Sequence, residues 1–200
     1  MLLCVKFCIY INIIVGKASG LANQLLRVTV CRLREFMVTL FVSHIRPILE
    51  YCSTVWYLED TRKLEGVQRR WSREVAGEEG WNYLERLKEL RHFSVYGIML
   101  RTDLIKVWKI FLAYVDVGLG SIFESNSHSA IIVNPLKLSI PRCSEIRQRF
   151  FNVRCVQAWN NLHELAVSLD SVTSFKRYLD RYLGPWPDFS SWDTSPSKKC

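Results

Sequence analysis

Arg62, Lys63, Arg69, Arg70 and Arg73 are the residues of this 200-residue chain whose type and spacing best suit a chemical task, and the task is contact with phosphate. Phosphate oxygens ask for guanidinium or ammonium groups along one face of a rigid element whose other face is anchored in a core. Leu64, Val67, Trp71 and Val75 supply the anchor: their three- and four-residue steps stack them on one side of a helix predicted over 58–76. At about 100° per residue, Arg62, Arg69 and Arg73 fall on the opposite arc, with Lys63 and Arg70 less central. Glu65 and Glu74 flank the patch. A second basic group is Arg142, Arg147, Arg149 and Arg154, of which Arg147 and Arg154 share a helix face. Trp71, Trp108 and Trp159 could stack on bases, but each continues or adjoins an apolar stripe and is expected in the core.

Bond-making chemistry has no comparable foothold. Metal-dependent phosphoryl transfer needs clustered carboxylates. The only adjacent acidic pairs are Glu59-Asp60, placed to cap a helix, and Glu78-Glu79, in a joint between helices. The sequence has no Walker loop and no His-Glu-x-x-His, and Cys4 and Cys8 sit in an apolar run without a partnering base. His44, His92, His128 and His163 are scattered. We therefore expect no catalytic residue, no metal site, no cofactor and no small-molecule substrate.

The elements that must hold the basic face are helical. A helix is expected over 17–30 with Leu21, Leu25 and Val28 on one side. Another is expected over 34–56 with the stripe Phe41, Ile45, Ile48, Cys52 and Val55. Pro47 should bend this helix near Ser43 or start a new segment. Arg46 and Glu50, one turn apart, form an expected surface pair. Gly77 is placed to end the basic helix. Helices over 83–90 and 95–114 come next, then an irregular connection with a short extended piece at 130–133. A helix from residue 143 or 144 to 162 and a last one over 171–183, with Val172, Phe175, Leu179 and Leu183 in step, complete the pattern. The fold expected is mostly α, a helical bundle followed by a second helical segment. Its organisation is an apolar lead-in at 1–16, a helical region at 17–77, a helical segment at 78–116, a connection at 117–141, a C-terminal helical pair at 142–184 and a loose tail at 185–200.

Composition agrees with a folded, basic protein. The chain is 49% hydrophobic and 23% charged, with a formal net charge of +8 that suits a polyanionic partner. Its seven cysteines are irregularly spaced, include no Cys-x-x-Cys, and read as reduced packing thiols in an intracellular protein of nucleus or cytoplasm. The apolar start, MLLCVKFCIYINIIV, is too short to span a bilayer and lacks the basic leader of a signal peptide. Secretion is the weaker reading, and membrane association is not expected.

Several runs together resemble the polymerase polyprotein of non-LTR (LINE-type) retrotransposons. They are Ile14-Val-Gly-Lys-Ala-Ser-Gly20, Glu35-Phe-Met-Val-Thr-Leu-Phe41, His44-Ile-Arg-Pro-Ile-Leu-Glu-Tyr-Cys52 and Leu64-Glu-Gly-Val-Gln-Arg-Arg-Trp71. Further along come Tyr83-Leu-Glu-Arg-Leu-Lys-Glu-Leu90, Asp103-Leu-Ile-Lys-Val-Trp-Lys-Ile-Phe111, Asn134-Pro-Leu-Lys-Leu138, Arg149-Phe-Phe-Asn-Val-Arg154, Trp159-Asn160 and Ser174-Phe-Lys-Arg177. Their order and spacing carry the resemblance over roughly residues 6 to 184. It implies the thumb of a reverse transcriptase, an RNA-directed DNA polymerase, and the helical segment behind it, without the palm and its paired aspartates. The partner implied is a template–primer RNA/DNA duplex held by its backbone, and it favours contact through the residues that charge and spacing single out, Arg62, Lys63, Arg69, Arg70, Arg73, Arg147 and Arg154. The chain departs from the family's pattern at His163, where a proline is common, and at Ala130-Ile-Ile-Val133, where a basic loop is usual. The alternative is an inert or adapted helical structural or interaction protein with no nucleic-acid role.

Overall fold

A computed structural model describes residues 2–53, 58–77, 80–112, 122–123, 137–142 and 150–183, with side chains from residue 9 in the first stretch and from residue 61 in the second. The protein is mostly helical. Its elements are α1 (Leu2–Val28), α2 (Arg34–Leu40), a π-helical turn (Phe41–Ile45), α3 (Arg46–Glu50), α4 (Leu58–Ala76) and α5 (Tyr83–Glu89). They continue with α6 (Val95–Phe111), α7 (Phe151–Asn160), α8 (Glu164–Val167) and α9 (Val172–Tyr182). The expected extended piece at 130–133, the start of the 143–162 helix and the tail from 184 lie outside the described residues.

The apolar lead-in and the first expected helix are one continuous α1. Its buried stripe is Ile11, Ile14, Ala18 and Ala22; Leu21 and Leu25 pack at the edge and Val28 is exposed, because the helix ends there. The second expected helix is broken where Pro47 removes an amide donor. Thr39 and Ser43 donate their hydroxyls back to the carbonyls of Glu35 (2.8 Å) and Thr39 (2.6 Å), which loosens the same stretch. The wide turn at Phe41–Ile45 absorbs the strain and rotates the buried stripe, which runs Met37, Phe41, Ile45, Leu49. Ile48 is therefore only partly buried and Cys52 is exposed, contrary to the expected stripe; Val55 lies outside the described residues. Arg46 and Glu50 pair as expected.

Local chemistry sets the later helix starts. Asn82 accepts from Glu85 N (2.9 Å) while Glu85 accepts from Asn82 N (2.7 Å), a reciprocal cap that opens α5. Ser94 caps α6 and Ser171 caps α9. His163 caps α8, a short helix that the sequence pattern did not suggest. At the other end of α4, Gly77 takes a left-handed φ of 63°, and its amide donates to Arg73 O.

Two hydrophobic clusters form the core. The first gathers α1, α2, the π turn, α3 and α4 with Leu90, Val95 and Met99; the second gathers the rest of α6 with Phe123, Leu138, α7, α8 and α9. Helix α6 belongs to both, since Val95 and Met99 face one way and Leu104, Val107 and Trp108 the other. The expected division into helical parts thus meets along a shared helix. In the second cluster Trp108 stacks on Phe175 (5.3 Å) and Phe111 packs tilted against Trp159 (5.7 Å). Asn160 holds both backbone groups of buried Leu138, accepting from its amide at 2.9 Å and donating to its carbonyl at 2.8 Å.

Two buried titratable groups sit along this framework with opposite tendencies. Burial pushes the Asp103 carboxyl up to about 6 from an ordinary 3.8, against the pull of Arg154. Burial and the charge of Arg46 push His92 down to about 4 from 6.5. Between 3.8 and about 6 the folded chain keeps a proton on Asp103 that the unfolded chain has lost, so stability falls as pH rises there. Between about 4 and 6.5 the folded chain lacks a proton on His92 that the unfolded chain holds, so stability rises with pH. The two slopes oppose one another. Thermal unfolding across this range should separate them: relative to the parent, His92→Gln makes the midpoint slope downward more with rising pH, and Asp103→Asn makes it slope upward more.

Candidate nucleic-acid interface

Helix α4 divides cleanly around its circumference. Thr61, Leu64, Glu65, Val67, Gln68, Trp71, Ser72, Val75 and Ala76 are all buried. Arg62, Lys63, Gly66, Arg69, Arg70, Arg73 and Glu74 are all exposed. At the helical repeat the exposed set occupies a single arc roughly 140° wide. All five cations expected on α4 are brought together on it, with one carboxylate, Glu74, beside them among the residues whose side chains are described.

Both sides of the buried arc are anchored. Leu64, Val67, Trp71 and Val75 pack into the first cluster, where Phe41 meets Trp71 at 5.8 Å. The polar buried residues are held by the chain that follows α4: Gln68 donates to Phe93 O (2.7 Å), and Glu65 accepts from the Tyr83 hydroxyl and from Tyr96 N (3.2 Å). Glu65 was expected beside the basic patch and is instead turned inward, because Tyr83 and Tyr96 bring donors to it. Burial raises its carboxyl above the ordinary range despite those hydrogen bonds and nearby Arg69. Glu65 is thus kept off the exposed surface of the patch.

Side chains from other elements set individual cations. The Arg69 guanidinium lies over the Tyr83 ring, 4.9 Å from its centroid, and Arg86 approaches the same ring at 5.8 Å. Tyr83 thereby orders Arg69 while leaving it exposed. Sequence reasoning missed Tyr83, whose role depends on the fold returning α5 against α4. Lys63 Nζ donates to Asn12 of α1 at 2.9 Å and is still exposed. Arg70 borders a cleft toward the end of α1.

The second basic group is not assembled with the first. Arg147 and Arg149 lie outside the described residues, and Arg142 is exposed. Arg154 departs from its expected role. Its side chain is 9% exposed, and the guanidinium pairs with Asp103 at 2.8 Å and donates to Ser53 O at 2.9 Å, so it joins α7 to α6 and to the chain after α3. A guanidinium held this way cannot reach a phosphate. Trp71, Trp108 and Trp159 are core residues, at 3%, 0% and 1% exposure, and are not available for stacking on bases.

Among the described residues no group of His, Cys, Asp and Glu side chains is placed to hold a metal ion, and no helix is long and apolar enough to cross a membrane. The side chains of Glu59 and Asp60, and residues Glu78 and Glu79, lie outside that description. His44 and His163 are exposed and His92 is buried against Phe41.

No protein-family model, curated protein or solved structure matches this chain. What it does must be read from its own residues.

Arginines in these two settings should respond differently to truncation. Arg154→Ala strands the Asp103 carboxylate and should cost about 3–5 kcal/mol in denaturant unfolding near neutral pH. Arg62→Ala and Arg73→Ala, on the open arc, should stay within about 0.5 kcal/mol of the parent.

Proposed function

We propose that this chain is a non-catalytic, helical C-terminal part of a reverse transcriptase of non-LTR retrotransposon type, and that α4 grips the backbone of a template–primer duplex. One observation carries the reading: five exposed cations share one arc of a helix whose remaining circumference is buried. Such an arc meets both requirements of phosphate contact, charge along a line and a stiff support behind it. Gly66 lies within the arc, and a Cβ added there meets no atom within 4 Å. An alanine at this position would favour the helix by about 1 kcal/mol. The missing side chain leaves room for a phosphodiester between the flanking arginines.

Contacts of this kind position a duplex without reading its bases. The Arg154 pair and the buried tryptophans support the same division of labour, with the second cluster serving as scaffold. Polymerisation would require the carboxylate-bearing palm that the family resemblance places ahead of this region. A second reading is an adapted helical interaction protein without a nucleic-acid role. It rests on Ile9, Tyr10 and Ile13, apolar residues exposed on α1.

Fluorescence anisotropy with labelled RNA–DNA hybrids of unrelated sequence tests the proposal. The parent chain should bind all of them with similar affinity. The double variant Arg62→Ala with Arg73→Ala should weaken each by about tenfold or more, with little change in relative preference. Unchanged affinity in that variant, or primer extension by the purified chain with magnesium, contradicts the proposal. Absence of hybrid binding leaves the second reading.

A further inference from the structure

Beside the open arc, α4 meets the end of α1 and the link at 29–33 in a cleft of about 350 Å³. Its charged lining is Arg27 from α1, Arg32 from the link, and Arg70 and Glu74 from α4, with Asn23 as a neutral polar wall. Three guanidiniums against one carboxylate leave two positive charges in one concave place. We propose that this cleft is a binding pocket for a phosphate monoester dianion, supplied by the phosphorylated end of a nucleic-acid strand. The proposal rests on the backbone-gripping reading of α4 for its source of phosphate, but Arg27 and Arg32 of the pocket lie outside the arc.

Charge and concavity separate this pocket from the arc. A phosphodiester carries one negative charge and lies along an open surface, whereas a terminal monoester carries close to two near neutral pH and concentrates them. Guanidiniums from three elements can present paired N–H donors to such a group from different directions, the geometry in which arginine binds phosphate most strongly. Asn23 adds an amide that can donate as well.

The contacts that hold the pocket in its present form are weak. Arg32 Nη1 is 3.9 Å from Glu74 Oε2, with both side chains close to half exposed, and Arg32 Nη2 reaches Leu26 O at a long 3.3 Å. An exposed pair of that length adds little stability. A dianion can therefore draw Arg32 inward at small cost. Arg27, in the last turn of α1, offsets the negative end of that helix, which would otherwise repel an anion. Arg70 lies on both the arc and the cleft, so a duplex lying on α4 would bring a strand end to the pocket.

A second cleft, about 590 Å³ between α7, α8 and α9, offers Lys137 and His163 against Glu164 with stacked Tyr178 and Tyr182. It lacks the excess charge that selects a dianion.

The test uses the full chain and two probes, inorganic phosphate and an RNA–DNA hybrid carrying either a 5′-phosphate or a 5′-hydroxyl. Titration with inorganic phosphate should move the side-chain NMR signals of Arg27, Arg32 and Arg70. The phosphorylated hybrid should bind about tenfold more tightly than its hydroxyl counterpart. In Arg27→Gln with Arg32→Gln that preference should vanish while hydroxyl-ended hybrid still binds, with circular dichroism confirming retained helix. Phosphate-induced shifts at these arginines without discrimination between hybrid ends would support the pocket with a free phosphorylated ligand as its source. Hybrid binding with no shifts and no end preference overturns the pocket and leaves the α4 reading intact. Phosphate shifts without any hybrid binding would do the reverse.

Discussion

Burial of more than half the circumference of α4 is the constraint on which the functional surface depends. An arginine side chain has about 2 kcal/mol of rotamer entropy, so a helix free to roll or fray would gain little from holding five of them near a polyanion. Here Leu64, Val67, Trp71 and Val75 fix the helix against the first cluster, and each such side chain contributes about 1.5–3 kcal/mol when fully buried. Gln68 and Glu65 lock the adjoining face through hydrogen bonds to the chain around α5 and the start of α6. Rotation about the helix axis is prevented from both sides, and the cations stay on the exposed arc.

The same residue type serves a different end elsewhere. Arg154 sits in an interior where its charge is countered by Asp103 and its remaining donors reach Ser53 O. Even so, the cost of burial leaves Asp103 displaced toward its neutral form. An arginine with that much local engagement organises the fold; those on α4 are exposed. Helix α6 makes the arrangement mechanically coherent, because one rod contributes to the cluster behind α4 and to the aromatic cluster of α7 and α9.

Much of this was legible in the sequence, for a physical reason. Helix α4 carries its own start-to-stop information: three- and four-residue apolar steps, cations on the far arc, and a glycine able to take positive φ at its end. Its limits and its buried stripe follow directly from these, as do the apolar faces of α9. What escaped depends on residues distant in the chain. Glu65 reads as a surface acid until the fold delivers Tyr83 and the Tyr96 amide to it. Arg154 reads as a surface base until Asp103, 51 positions earlier, is placed beside it. The stripe after Phe41 could not be projected past a π-helical turn, since one wide turn changes the phase of everything that follows. The phosphate cleft belongs to this class too, being assembled from three separate segments.

The central claim is electrostatic: a cationic arc on α4 meets a phosphate backbone and displaces its counterions. The most direct measurement is the affinity of the full chain for an RNA–DNA hybrid as a function of potassium chloride. Counterion release from three to five phosphate contacts predicts a straight line of log K against log salt with a slope of about −2.7 to −4.5. A flat line, or no binding even at about 50 mM salt, would contradict the claim, because a surface of this charge cannot hold a polyanion without answering to screening.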